Sequence, residues 1–286
     1  MAHDHDLPPR DGYAPWSGTR VPSAWVGEKL KLENIPQRTS EWFEARKGRL
    51  TASDAAAALG QNRYCSPDDL LARKANPNSG PLPPRAQEAC DWGTKWEPHA
   101  ARVYERITGN RVWECGLFVH PEHDFLAASP DGLVDSGPGP GGMKLLIEIK
   151  APYRRRVIDS NVPPQYMPQL MLQMECLNAD AVDFVQYVPE CISGPEQVMI
   201  TRIVRDREWF LKYLPVMSEF CARMRRVMIY GLPPPIAVPS AAKKRRARTR
   251  PTKPPPAPAC RIIDLPADAG PAPIEIDSAP GGYVFV

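Results

Sequence analysis

Two acidic residues and a lysine have the types and spacing that suit hydrolysis of a phosphodiester. Ser129-Pro130-Asp131-Gly132 is followed, across a Gly/Pro turn at 136–142, by Glu148-Ile149-Lys150. In a strand, residues two apart share a face, so Glu148 and Lys150 point one way while Ile147 and Ile149 point into a core. A charged pair on an otherwise apolar strand is costly unless it is paired or bound to metal. If the strand that follows Asp131 pairs with this one, two carboxylates and an ammonium converge. Asp131 and Glu148 then offer hard oxygen ligands for Mg²⁺. A bound ion polarises the phosphate and lowers the pKa of a coordinated water. Lys150 can orient that water or neutralise charge on the phosphate; it becomes a base only if its pKa is depressed. The bare motif is short and common. The same three residues also fit a salt-bridge network on a solvent-facing strand.

The elements that must hold these residues follow from periodicity and punctuation. Thr39 or Ser40 caps a helix carrying Trp42, Phe43 and Arg46 and ending at Gly48. Thr51 or Ser53 caps the alanine run 55–59, and Pro67-Asp68-Asp69 opens a helix to Lys74. A loop at 76–84 precedes a long helix at 85–108, which Pro98 kinks or restarts. Period-two segments at 111–119, 125–134, 144–150, 182–188 and 198–204 read as strands, the second and third forming a hairpin. Residues 163–177 and 207–230 read as helices, the latter disturbed at Pro215. The expected class is therefore α/β (α+β), a central mixed β-sheet flanked by helices.

The motif order adds more than any single motif. Trp42 with Arg46-Lys47-Gly48-Arg49-Leu50-Thr51-Ala52-Ser53 resembles the opening motif of the lambda-type exonucleases, the YqaJ-like viral recombinase family. Trp92-Gly93-Thr94-Lys95-Trp96-Glu97-Pro98 with Ala101 resembles the family's G-x-x-x-E-x-x-A helix. Ala127 to Leu133 and Leu146 to Pro152 are similar to its Asp and Glu-x-Lys strands, and Tyr166-Met167-Pro168-Gln169 to its Tyr-x-x-Gln helix. The resemblance covers roughly residues 40–230. It implies a restriction-endonuclease-like core of the PD-(D/E)xK type. It also implies that Asp131, Glu148 and Glu97 hold Mg²⁺ (or Mn²⁺ in its place) with the Ile149 carbonyl. Gln169 would orient a water or the scissile phosphate, and Arg46 and Ser53 would hold a terminal 5′-phosphate. Where some relatives carry a second nearby glutamine, this chain has Met171, with Gln173 following. Trp42, Trp92 and Trp96 are candidates for stacking on bases, although the i, i+4 spacing of the last two suits core packing. Arg154-Arg155-Arg156 suits phosphate tracking.

Charge and composition divide the chain. Of 286 residues, 35 are proline, and 233–286 holds 13 of them with eight Lys/Arg against four Asp/Glu. The net charge of +3 thus belongs to the tail, and the rest is close to neutral. The expected organisation is an N-terminal extension at 1–36, a nuclease domain at 37–231, and a disordered Pro-rich tail at 232–286. The basic cluster 243–250 suits nuclear import or a DNA tether. The short apolar pieces near the end suit docking on a partner such as a single-strand annealing protein. Seven scattered cysteines without CxxC suit a reducing compartment, and no apolar run suggests a membrane span or secretory signal. The expected function is a Mg²⁺-dependent exonuclease that degrades one strand of duplex DNA from an end, 5′ to 3′. The alternatives are an endonuclease or structure-specific nuclease of the same fold, and a non-catalytic DNA-end binding protein. Relatives of this kind are ring-shaped trimers or monomers, and the sequence leaves that choice open.

Overall fold

The structure, a computed structural model, describes Trp25, the backbone of 31–33 and 283–285, and residues 35–76, 83–135, 142–153, 162–190 and 196–231. The chain order is β1 (Lys31–Glu33), α1 (Ser40–Ala45), β2 (Leu50–Thr51), a 3-10 turn (Ala52–Asp54), α2 (Ala55–Ala58), α3 (Pro67–Ala75) and α4 (Pro84–Thr108). Next come β3 (Arg111–Trp113), β4 (Leu117–Val119), β5 (Leu126–Ala128), β6 (Gly132–Asp135) and β7 (Leu145–Lys150). A 3-10 turn (Pro164–Tyr166) leads into α5 (Met167–Leu177), followed by β8 (Ala181–Val188), β9 (Gln197–Val204), α6 (Arg207–Tyr230) and β10 (Tyr283–Phe285). Helices flank two sheets: a six-stranded one ordered β10-β9-β8-β7-β6-β3 and a four-stranded one ordered β1-β4-β5-β2. Both are mixed, with parallel pairs β7–β8 and β2–β5.

Local chemistry sets the helix ends. Thr39 accepts from the Trp42 N–H, Ser66 and Asp69 form a capping box, and Asp206 accepts from the Trp209 N–H. Gly109 at φ 70° and Asn178 at φ 52° end α4 and α5 in the left-handed conformation. Neither internal proline restarts a helix: α4 runs through Pro98 and α6 through Pro215. In helices of 25 and 24 residues, each proline deletes one bond from a ladder that packing keeps in place.

The expected long strands at 111–119 and 125–134 are each broken in two. β3 and β6 belong to the large sheet, β4 and β5 to the small one, and the chain crosses between sheets at 114–116 and 129–131. Pro130 has no N–H to offer a ladder, so pairing stops there. The carbonyls stranded at the crossing need other donors. The Gln37 amide supplies them, donating to both Cys115 O and Pro130 O at 2.9 Å. The N-terminal extension contributes to the fold as well, since Trp25 is buried and β1 pairs with β4.

β7 is covered on both faces. Leu145, Ile147 and Ile149 pack against Ala100, Ala101, Val103 and Tyr104 of α4. Leu146 packs with Leu170, Met174 and other residues of α5. Behind it, Asp183 of β8 is fully buried, accepting from the Tyr104 hydroxyl at 2.7 Å and from Arg202 at 2.8 and 2.9 Å. This network ties α4 to the sheet two turns after Glu97. Among the described residues Cys115, Cys176 and Cys221 are buried free thiols, and no helix is long and apolar enough to cross a membrane. Segment 232–282 lies outside the described residues; β10 pairs antiparallel with Ile200–Arg202 of β9.

Gly132 opens β6 where the sheets meet, and a Cβ there would lie 2.5 Å from Val112 Cγ1, 3.0 Å from Trp113 O and 3.1 Å from Ile147 Cγ2. Gly132→Ala is expected to destabilise the fold by about 1–3 kcal/mol through overpacking. Urea unfolding measures this, and a variant as stable as the parent would contradict the tight β3–β6–β7 contact.

Candidate active site

The end of β7 draws together five residues singled out from the sequence. Glu148 is 1% exposed, on the face that α5 covers. Its Oε1 accepts from the Lys150 ammonium and from Gln169 Nε2 at 2.6 Å, and its Oε2 accepts from Gln173 Nε2 at 2.6 Å. Gln169 and Gln173 lie one turn apart on α5, so both amides reach the same carboxylate. Met171, between them, is buried in the core instead. Asp131 precedes β6, and its Oδ2 accepts the Ile149 N–H at 2.6 Å. The Ile149 side chain packs toward α4. Glu97 comes from α4, where Arg38 Nη2 meets its Oε2 at 2.5 Å. The Lys150 ammonium also lies 5.5 Å from the Tyr166 ring centroid.

The electrostatics follow from crowding. Burial, then Glu148 and Glu97, push the Asp131 carboxyl well above the usual aspartate range, and Lys150 offsets only part of this. Burial also raises Glu97, against the pull of Arg38. Burial works against the charge on Lys150, but Glu148 and Asp131 outweigh it and hold the ammonium protonated.

No group of three or more His, Cys, Asp or Glu among the described residues stands ready-made around an ion. Lys150 and the two glutamine amides occupy the Glu148 carboxylate oxygens, and Arg38 occupies one of Glu97. The chemistry of the donor set nevertheless fits a hard divalent cation. Three carboxylates from three separate elements stand close together, Asp131 and Glu97 are raised by burial and by their acidic neighbours, and the charges that relieve them come from two cationic side chains.

A second constellation lies beside the first. Arg46 Nη2 donates to Thr51 Oγ1 at 3.0 Å and to Ser53 Oγ at 3.2 Å. Its guanidinium sits 4.0 Å over the Trp42 ring, so Trp42 stacks on an arginine within its own chain and is itself buried. Neither Thr51 nor Ser53 makes the cap hydrogen bond expected of it. Among the described residues Arg46 has no carboxylate within ion-pair distance, and burial lowers its pKa against a weaker pull from Asp54. Asp54 is already engaged, with Arg73 at 2.8 Å, Lys74 at 2.9 Å and the Thr51 hydroxyl at 3.1 Å. Trp42 Nε1 donates to Ser129 Oγ at 3.0 Å, which joins this pocket to the chain two residues before Asp131.

Sequence reasoning passed over Gln37, Arg38 and Asp54, quoted Thr51 and Ser129 within motifs without giving either a place in the site, and left the role of Gln173 open. The i, i+4 spacing from Gln169 was the available signal for Gln173. For Arg38 there was none. Trp92 and Trp96 pack together with ring centroids 5.6 Å apart, in keeping with their helical spacing. Arg154, Arg155 and Arg156 lie outside the described residues.

The chain is similar to known proteins. The YqaJ-like viral recombinase domain matches residues 41–180. The crystal structure of an alkaline exonuclease, LHK-Exo from Laribacter hongkongensis, is 30% identical with a TM-score of 0.52, and the match covers 95% of that chain and 67% of this one. This chain belongs to the YqaJ-like viral recombinase family, within the PD-(D/E)xK nucleases. The structure of LHK-Exo in complex with dAMP matches to the same extent. Uncharacterized protein R354 of Acanthamoeba polyphaga mimivirus is 29% identical over 166 residues, 54% of this chain and 30% of that protein. Protein D345L of African swine fever virus is 30% identical over 167 residues, 50% of this chain and 46% of that protein. This YqaJ-like chain therefore aligns with less than half the length of these two viral relatives.

Asp54 supplies a pH test of the pocket. Burial raises its carboxyl, but Lys74, Arg73 and Arg46 together pull it below the usual aspartate value. A depressed folded pKa gives stability that is present above the unfolded value of about 4 and is lost as pH falls through the folded one. Asp54→Asn should cost about 2 kcal/mol at pH 7. The gap from the parent should shrink as pH drops below about 4. Urea unfolding across this range checks it, and a gap independent of pH would contradict it.

Proposed function

We propose that this chain is a divalent-metal-dependent deoxyribonuclease that degrades one strand of linear duplex DNA from an end, 5′ to 3′. The observation that carries the reading is the meeting of Asp131, Glu148, Lys150 and Glu97 at the end of β7, from three separate stretches of sequence. Likeness to an alkaline exonuclease supports it at the level of the whole domain.

In this reading Asp131, Glu148 and Glu97, with the Ile149 carbonyl, hold Mg²⁺, and Mn²⁺ can substitute. When bound, such an ion would supply a water of lowered pKa and polarisation of the phosphoryl oxygen. The chain's own groups do the rest. The Lys150 ammonium, beside Glu148, neutralises charge that builds on the scissile phosphate. The Gln169 amide, already directed at Glu148, orients the attacking water or the phosphate. Arg46, Ser53 and Thr51 grip the terminal 5′-phosphate: a half-buried guanidinium without a carboxylate partner is suited to an incoming dianion. Trp42 and Ser129 fix the distance from that pocket to Asp131. Arg154 and Arg155, directly after β7, track the DNA backbone.

The test is digestion of linear duplexes with a 5′-phosphate or a 5′-hydroxyl, beside closed circular DNA. The expected result is Mg²⁺-dependent release of nucleotides from linear DNA only, faster from phosphorylated ends. Lys150→Ala should lower kcat at least about a hundred-fold. Arg46→Ala should remove an about 10- to 100-fold preference for the 5′-phosphate while linear hydroxyl ends are cut much as before. Cleavage that survives Lys150→Ala would remove the assignment of this site, and cutting of closed circles would turn the reading to an endonuclease.

A further inference from the structure

Arg38 stands in an unusual backbone conformation for a side chain of its size. Its φ is 68°, and of the described residues only Asn178, at the end of α5, is another non-glycine with positive φ. Arginine gains nothing from the left-handed region, where glycine and asparagine are more at home. The conformation is imposed from both sides. Gln37 is bolted to Cys115 and Pro130 at the sheet crossing. Thr39 is fixed as the cap of α1, with its hydroxyl also donating to Pro36 O at 2.9 Å. A strained position that keeps a long charged side chain invites the question of what that side chain does.

It reaches Glu97, 59 residues away in sequence, with a single 2.5 Å contact. Its charge also acts on Asp131 and Glu114. The Arg38 side chain is 48% exposed and that of Glu97 21%, so this cation approaches the carboxylates from the solvent side. Lys150 approaches from within, bonded to Glu148. The contact uses one corner of the guanidinium, which leaves its other N–H groups for a second anion.

We propose that Arg38 is an exchangeable counter-ion: it neutralises Glu97 in the metal-free protein and passes to a DNA phosphate when a divalent cation takes Glu97. This rests on the reading that Glu97 helps hold the metal. A guanidinium and a dication repel each other across one carboxylate oxygen, so the two compete for it. The backbone around Arg38 is held, so the displaced side chain stays at the mouth of the site. The anion arriving there is the phosphodiester, which a guanidinium binds well.

Two variants separate this from a structural role. Arg38→Gly suits the positive φ and should unfold in urea at the same or a higher midpoint. Arg38→Gln keeps the size and removes the charge. Mn²⁺ affinity without DNA, read by electron paramagnetic resonance, should rise several-fold in both. DNA-end binding in Ca²⁺, read by fluorescence anisotropy, should fall about ten-fold in both, within the loss expected of one charged hydrogen bond. Unchanged or weaker Mn²⁺ binding, or unchanged DNA binding, in these variants overturns the proposal while leaving the nuclease reading intact. Failure of the wild type to bind Mn²⁺ at all overturns both.

Discussion

Three carboxylates in one poorly solvated site repel one another, and the surroundings of β7 are arranged around that repulsion. Asp131, Glu148 and Glu97 each lose hydration, and in a medium of low effective dielectric their mutual repulsion weakens slowly with distance. Two kinds of partner relieve it. Lys150 and Arg38 bring charge, one from inside and one from the solvent side. Gln169, Gln173 and the Ile149 N–H bring donors without charge. The distinction matters if the site admits a cation, as proposed. Neutral amides can stay close to a carboxylate when an ion enters, whereas ammonium and guanidinium groups are driven off its oxygens. The almost complete burial of Glu148 is compatible with folding only because donors meet both of its oxygens.

The crossing between the two sheets gives this cluster its position. Asp131 follows a proline at which strand pairing must stop, so its side chain is placed by a bend rather than by a ladder. Gln37 secures that bend by bonding to the two carbonyls left outside the strand ladders, and Cys115 Sγ adds a contact to Pro130 O at 3.3 Å. The same residue fixes the backbone on which Arg38 and α1 are carried. Trp42, on α1, then bonds to Ser129 just before the bend. The segment 37–46, the hydroxyls around Arg46 and the carboxylate strand are thus linked by hydrogen bonds, although they are far apart in sequence. A shift in any of them would change the span between the Arg46 pocket and Asp131.

Much of this was legible in the sequence, and the gaps have physical causes. Strand alternation correctly placed Glu148 and Lys150 on one face of β7, and α5 and α6 lie almost where their periodicity put them. The sequence reading did not foresee that the Glu148 face would also be buried, because alternation says which residues share a face and not what covers it. The strands at 111–119 and 125–134 read as continuous because apolar content persists through the crossing. Only the lack of an N–H at Pro130 marked the break. β1 and Trp25 fell in a Pro/Gly-rich stretch of weak periodicity, where pairing is decided by the β4 edge and not by local preference. Arg38 and Asp54 carried no signal because their roles arise from long-range partners. The hydroxyls of Thr51 and Ser53 illustrate a competition: local preference assigns them to helix caps, but a guanidinium with no other strong acceptor takes them.

The two constellations differ in how their charges are balanced. Asp54 has two cations within ion-pair distance and a third, Arg46, acting from farther off, so its carboxylate is satisfied within the fold. Arg46 is left with hydroxyls and an aromatic face, which orient it but do not neutralise it. Among the carboxylates at β7 the sign is reversed, with excess negative charge relieved by side chains that can be displaced. A near-neutral body therefore contains one local site short of an anion and another that calls for a cation. The Trp42–Ser129 bond links them. Under the proposed reading, a DNA end with its 5′-phosphate would supply the anion and a divalent ion the cation. Net charge averages these two deficits away, so for this chain the arrangement of charge is informative where its sum is not.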